Sequence, residues 1–364
     1  MPLLPIFGHE ALRGRLLGSL AHNSLPQSLL LHGAPRIGKQ RLALWLAQVL
    51  LCDSDDKPCG ACPQCRKVLD LNHKDLLWIF PQLRAKEADI TPEEAADNIA
   101  TASAERAKVF GLYDTPSGME GIHIPVMRAA VKHAVMTPAL AKRKVIVVGD
   151  ADRMIAQEGS DQAANAFLKL LEEPPADTFV ILTSSSPGKL LPTIRSRVVA
   201  VRVAPVPDDA VISWLRHLES LRSDKENKAL KGVELPQSDR EAVGIASGAI
   251  GRLLDSQSRT ASSGMAKRFI EVARKGDNQR AASLALSQTG WGARGAFTDT
   301  LDALIDELID QVRTALEVGD DATARGAAAA VDLVEEAKTR AYGNNNPQLI
   351  ASNLISEMTR LLRV

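Results

Sequence analysis

The chain has 364 residues and balances 44 lysines and arginines against 44 aspartates and glutamates, giving no net charge at neutral pH. That balance argues against broad electrostatic capture of nucleic acid, which needs a basic surface, although a local basic face would escape a whole-chain count. No run of 18 apolar residues occurs, and Met1-Pro2-Leu3-Leu4-Pro5-Ile6-Phe7-Gly8-His9-Glu10 lacks the basic and apolar regions of a signal peptide, so a cytoplasmic protein without a membrane span is expected.

Residues 9–22 place Leu12, Leu16, Leu17 and Leu20 at amphipathic helix spacing, and a loop with Pro26 follows. Ser28-Leu29-Leu30-Leu31-His32 then reads as a buried strand running into Gly33-Ala34-Pro35-Arg36-Ile37-Gly38-Lys39-Gln40. This stretch fits the phosphate-binding pattern G-x-x-x-x-G-K-[ST] everywhere except its last place. Arg41 to Ala47 reads as the helix leading out. In such a loop the backbone N–H groups and the helix N-terminus hold phosphates, and the lysine reaches the terminal ones. The hydroxyl that follows holds Mg²⁺. Gln40 has no hydroxyl. The cradle of Gly33, Gly38 and Lys39 is therefore expected to survive without its metal ligand, with ATP binding weak or absent.

All four cysteines of the protein fall in one short span, in the order Cys52-x6-Cys59-x2-Cys62-x2-Cys65, with Pro58, Gly60 and Pro63 as turn formers between them. Thiolates two residues apart in a tight turn converge on one tetrahedral ion, and four close its shell, which predicts a structural zinc site. An iron–sulfur cluster and a redox dithiol are the competing readings, and the bacterial ferredoxin run differs in placing its fourth cysteine downstream, before proline. A knuckle that binds nucleic acid is a third. Lys57, Arg66 and Lys67 lie near, but the span has no aromatic residue on which bases could stack.

Leu76-Leu77-Trp78-Ile79-Phe80 looks like a second strand, ended by Pro81. Residues 82–121 are polar and carry Gly111, Pro116, Gly118 and Gly121, which predicts an irregular insertion that includes one short helix. Helical spacing resumes from Pro125 to Val135. Lys144–Gly149, Thr178–Thr183 and Val198–Val203 read as further parallel strands, buried on both faces, with a helix over 161–172 stopped by Pro174-Pro175. Strands alternating with helices give an open α/β sheet. Beyond Pro205-Val206-Pro207 the periods are helical, punctuated by polar stretches at Arg222–Gln237 and Asp255–Gly264, and long helices are expected over Ala322–Ala341 and Leu349–Leu362. There is no internal repeat.

The strand at 144–149 ends Val147-Val148-Gly149-Asp150-Ala151-Asp152-Arg153-Met154, which resembles the h-h-D-E-A-D-R-M box of the AAA+ family of P-loop ATPases. Laid on the end of that box, Gly149 falls where the metal carboxylate belongs and Asp150 where the catalytic glutamate belongs. A one-residue slip would make Asp150 the metal ligand and leave Ala151 at the water-activating place. Either way one carboxylate is lacking. Ala163-Ala164-Asn165-Ala166-Phe167-Leu168-Lys169-Leu170-Leu171-Glu172-Glu173-Pro174-Pro175 is similar to a segment of clamp-loader ATPases. So is Leu191-Pro192-Thr193-Ile194-Arg195-Ser196-Arg197-Val198, which matches their T-[IL]-x-S-R-C box with Val198 in place of the cysteine. A four-cysteine insertion after the P-loop helix is a trait of the bacterial members. The similarity covers residues 20–203; the C-terminal half matches only in domain plan and in Asn346-Pro347-Gln348-Leu349-Ile350.

The resemblance implies an AAA+ P-loop domain over 1–205, with a parallel sheet, a zinc module at about 52–65 and the insertion at about 82–121. A small helical lid domain over 206–258 and an all-α oligomerisation collar over 265–364 would follow. It implies that Arg197 is an arginine finger acting in trans on ATP bound by a neighbouring subunit, with Arg195 the near neighbour that could be confused with it. The family's second sensor arginine would fall at Gly251, with Arg252 one place late. The function implied is that of a non-hydrolysing subunit of the replicative clamp loader. It would work beside motor subunits of the tau or gamma kind and a delta subunit, and would meet the sliding clamp and primed DNA through the complex. The rival reading is an active AAA+ ATPase of the motor kind.

Overall fold

The computed structural model describes residues 3–82, 90–111, 120–154, 162–223, 235–254, 256–288, 294–342 and 346–363. The described residues up to Leu254 form one compact unit and those from Ser256 a second.

The first unit is built on five parallel strands: β1 (Ser28–His32), β2 (Leu76–Ile79), β3 (Lys144–Val148), β4 (Thr178–Ser184) and β5 (Val199–Arg202), in the order β2-β3-β4-β1-β5. Its helices are α1 (Glu10–Ala21), α2 (Lys39–Leu51), α3 (Pro63–Leu69), α4 (Pro92–Ala107), α5 (Ile124–Val135), α6 (Gln162–Glu172), α7 (Pro192–Arg195), α8 (Asp208–Ser223) and α9 (Asp239–Ala246). Successive strand residues point to opposite faces. Leu29, Leu31, Val145, Val147 and Ile181 accordingly join one core with α1 and α2. Leu30, Ile146, Val148, Val180 and Leu182 join the other with α5 and α6. Helix α2 crosses the centre of the first core and buries every residue except Gln40 and Arg41. A third cluster gathers Val206, Val211, Trp214, Leu215, Leu218, Ala242 and Leu253 around α8 and α9, with Leu4 and Phe110 from earlier in the chain.

Three expectations change. Val199–Arg202 is not buried on both faces: β5 is an edge strand with Val199 half exposed, because nothing pairs on its far side among the described residues. The helix allowed within 82–121 is longer than expected. Sixteen residues of that stretch form α4, opened by Thr91, whose hydroxyl accepts from the Glu94 N–H while the Glu94 carboxylate takes the Thr91 N–H. That reciprocal cap satisfies two otherwise orphaned donors and offsets a polar sequence. Residues 83–89 and 112–119 of that stretch lie outside the described residues, as does 224–234 of the charged stretch after α8.

The described elements of the second unit are all helices: α10 (Ser256–Lys275), α11 (Asn278–Leu286), α12 (Arg294–Glu317), α13 (Asp321–Tyr342) and α14 (Pro347–Leu362). Third among these changes, the polar stretch read as a break at 255–264 is, from Ser256 on, the first half of α10, with residue 255 outside the described residues. Ala327, Ala330, Val334, Ala337 and Ala341 make the buried stripe of α13, against Leu301, Leu304 and Leu308 of α12 and Leu354 and Met358 of α14. The small side chains bring backbones close: a methyl group at Gly326 would sit 2.6 Å from the Leu361 carbonyl oxygen. No described helix is long and apolar enough to cross a membrane.

Candidate functional site

Strand β1 delivers the chain into the loop at Gly33, where the backbone passes so near the Val203 carbonyl that a methyl group would meet its oxygen at 2.4 Å. The loop closes at Gly38, which caps α2 with φ 96°, a backbone geometry that suits glycine. Lys39, the first residue of α2, is almost fully buried. Its ammonium donates to the Gly33 carbonyl at 3.0 Å, the Ala34 carbonyl at 2.7 Å and the Ser185 hydroxyl at 2.9 Å. Burial lowers its pKa to about 8, against the opposing pull of Asp150 and Asp152. The lysine that would reach a terminal phosphate is turned back on the loop itself.

Gln40 does what the sequence did not foretell. Its amide nitrogen donates to the Asp150 carboxylate at 3.0 Å, and its amide oxygen accepts from the Trp78 indole N–H at 3.2 Å. Between these bonds the amide lies over Gly149. A Cβ there would stand 2.5, 2.6 and 2.9 Å from the Gln40 Oε1, Cδ and Nε2 atoms. The long Gln40 side chain thus fills the room that the glycine leaves. Asp150 adopts φ 48°, and its N–H donates to the Thr183 hydroxyl at 3.0 Å. Asp152, next along the box, accepts from the Ser184 hydroxyl at 2.5 Å.

Two further contacts fasten the loop from outside. His9 Nε2 lies 2.9 Å from the Ile37 carbonyl, which can only accept, so the ring donates through Nε2, and burial lowers the histidine pKa. The Gly251 N–H donates to the Arg36 carbonyl at 3.0 Å, and a Cβ at Gly251 would come within 2.9 Å of that oxygen. The place expected for a second sensor arginine is therefore occupied by backbone resting on the loop. Gly33, Gly38, Lys39, Gln40 and Asp150 do come together. Arg197 is not among them: it lies between α7 and β5, where its guanidinium donates to the Thr193 carbonyl, the Ser196 hydroxyl and the Glu172 carboxylate.

The cysteines form a second cluster. Their sulfur atoms all lie within 4.8 Å of one another, with separations of 3.6 Å for Cys52–Cys59, 3.9 Å for Cys52–Cys62 and 4.0 Å for Cys59–Cys65. A tetrahedron of thiolates at the usual zinc–sulfur length has edges of about 3.8 Å, so the donor set fits a metal ion such as zinc. The Cys62 N–H points at the Cys59 sulfur, and the Cys65 N–H at the Cys62 sulfur. Hydrogen bonds from the Cys62 and Ala61 backbone lower the Cys59 thiol to about 6, while burial raises that of Cys65.

Asp75 was not foreseen. It is buried, and its carboxylate accepts three backbone N–H groups, from Ala139 at 2.6 Å, Leu140 at 2.7 Å and Ala141 at 2.8 Å. Burial alone would raise its pKa, but the three hydrogen bonds outweigh it and the value is lowered. Its neighbour His73 accepts the Asp75 N–H at Nδ1 and meets Gln64 of α3 through Nε2. In sequence, His73-Lys74-Asp75 looks like an ordinary charged loop.

A family model described as DNA polymerase III, delta subunit, matches residues 8–207. The DNA polymerase III subunit delta' of Pseudomonas aeruginosa is 32% identical over 209 residues, covering 57% of this chain and 51% of that protein. The delta' subunit of Bacillus subtilis is 26% identical over 236 residues, 62% of this chain and 59% of that one. The subunit tau/gamma of Haemophilus influenzae is 25% identical over 257 residues, covering 70% of this chain and 30% of that protein. The chain thus spans about half the length of the delta' relatives it matches. Because the family match encloses all five strands and the loop between them, the chain belongs to the DNA polymerase III delta-subunit family, among its delta-prime-like members.

Proposed function

We propose that the chain is a clamp-loader subunit that turns over no ATP of its own and completes the ATP site of a neighbouring motor subunit. The observation that supports this most is the Gln40 amide, which lies where a carboxylate at position 149 would stand and is bonded to the remaining acid, Asp150. Hydrolysis at a P-loop needs a hydroxyl and a carboxylate to steady Mg²⁺. In this chain the first position holds Gln40 and the second Gly149, over which the Gln40 amide lies while bonded to Asp150.

Arg197 is the residue we assign to the neighbour. A guanidinium is permanently charged and forks onto phosphate oxygens, which suits it to work across a subunit boundary. Residues 206–258 would act as the lid, and residues 265–364 as the collar joining this chain to motor subunits of the tau or gamma kind and to a delta subunit. The four cysteines would hold a structural zinc. Together the subunits would open the sliding clamp and set it on primed DNA.

The chain alone tests the first half of this reading. Purified protein with ATP and Mg²⁺ should show no turnover above that of the Lys39→Ala variant. Sustained hydrolysis lost in Lys39→Ala would contradict it and favour an active motor. Co-purification with motor and delta subunits tests the second half.

A further inference from the structure

The Glu172-Glu173-Pro174-Pro175 end of α6 has no part in the function as proposed, although it belongs to one of the two segments that carry the clamp-loader resemblance. The other segment contains Arg197. The fold brings the two together. Glu172, the last residue of α6, accepts from Arg197 Nη2 at 2.5 Å. On the other side of the guanidinium, Nη1 donates to the Thr193 carbonyl at 2.8 Å and to the Ser196 hydroxyl at 3.2 Å.

We propose that Glu172 is a positioning residue for Arg197, holding the guanidinium of the finger in the direction of the neighbour's nucleotide. This rests on the finger role assigned above. An arginine has five donor protons. Thr193, Ser196 and Glu172 engage three of them among the described residues, so two remain for phosphate oxygens. Both anchor points stand on packed elements. Thr193 and Ser196 sit in and just after the short α7, whose Ile194 is fully buried, and Glu172 ends a helix whose Phe167, Leu170 and Leu171 are buried in the sheet core. A long side chain free to rotate would lose rotamer freedom each time it met phosphate, and one already held loses less. The ion pair itself is partly exposed, with side-chain exposures of 32% for Arg197 and 47% for Glu172. Pairs of that kind add little to stability. The contact is better explained as orientation than as glue.

The test uses the reconstituted complex and reads DNA-stimulated ATP hydrolysis with four versions of this chain: Arg197→Ala, Glu172→Ala, Glu172→Gln and the double Arg197→Ala/Glu172→Ala. Glu172→Ala should lower kcat of the site that Arg197 serves about three- to tenfold, with KM for ATP unchanged. Glu172→Gln keeps an acceptor at the same reach and should restore most of the loss. The double variant should be no slower than Arg197→Ala alone, because Glu172 acts only through that arginine; a merely structural glutamate would add its own defect. If Arg197→Ala slows hydrolysis while Glu172→Ala matches the native chain, the positioning role is overturned and the finger stands. A faster rate in Glu172→Ala would also overturn it, since the carboxylate would then be a restraint. If Arg197→Ala itself changes nothing, the finger role fails and the positioning role with it.

Discussion

Gln40 and Gly149 are far apart in sequence and in contact in space, and the difference explains what could be read in advance. A loop that matches its pattern in all but one place declares Gln40 odd at once. Nothing local says that its amide reaches Trp78 and Asp150, or that Gly149 is small because that amide lies over it. The pairing makes a specific prediction. Gly149→Asp in the native background would force the amide out of both hydrogen bonds, at a cost of about 1–3 kcal/mol. In a Gln40→Thr background the same change should cost less than half as much, and urea unfolding of the four proteins gives the coupling directly. Equal costs in both backgrounds would mean the two positions are independent. Lys39 adds a pH signature. It loses its proton near pH 8 when folded, against 10.5 for an unburied lysine. Between those values the unfolded chain binds more protons, so this residue's contribution to stability rises with pH. Relative to Lys39→Met, the native chain should gain about 1–2 kcal/mol from pH 8 to pH 10 in urea unfolding. A flat difference would show the lysine is not desolvated.

At the level of elements, the strands and their order of burial followed from continuous apolar runs, because β3 and β4 are covered on both sides. Edge position is a property of the whole sheet, which is why β5 looked like the others. Helix α4 announced itself only by Thr91-Pro92-Glu93-Glu94, a start signal outweighed by the polar residues after it. The cysteine cluster was legible because its four thiols are close in sequence; the Asp75 contact was not, because its partners at 139–141 are distant. Both are open to test. Metal analysis of the purified chain should find one zinc per chain, and its removal with a chelator should lower Tm; a metal-free protein of unchanged Tm would contradict the structural ion. Asp75→Asn would set an amide N–H₂ against backbone N–H groups and should cost about 2–4 kcal/mol, read from denaturant midpoints. Because the folded pKa of Asp75 lies below the ordinary 3.8, its contribution is present above that value and fades as pH falls through the folded one. The native chain's advantage over Asp75→Asn should therefore shrink below about pH 4, and an undiminished advantage there would count against the contact.

On the scale of the whole molecule, the loop, its metal position and the Gly251 backbone contact describe a nucleotide-type fold fastened by its own side chains and backbone, with Arg197 of the matched family box held outside that pocket. Composition had excluded little beyond a broadly basic surface, and the shared motifs identified the family before any contact was known. What the motifs could not convey was how the remaining parts of the pocket satisfy one another. The most direct measurement is DNA-stimulated ATP hydrolysis by a clamp loader reconstituted with either the native chain or Arg197→Ala, after confirming equal assembly. Removing an arginine finger costs on the order of a thousandfold at the site it serves, so the account predicts that one motor site falls silent and total turnover drops by that site's share. Unchanged hydrolysis in the fully assembled Arg197→Ala complex would contradict it.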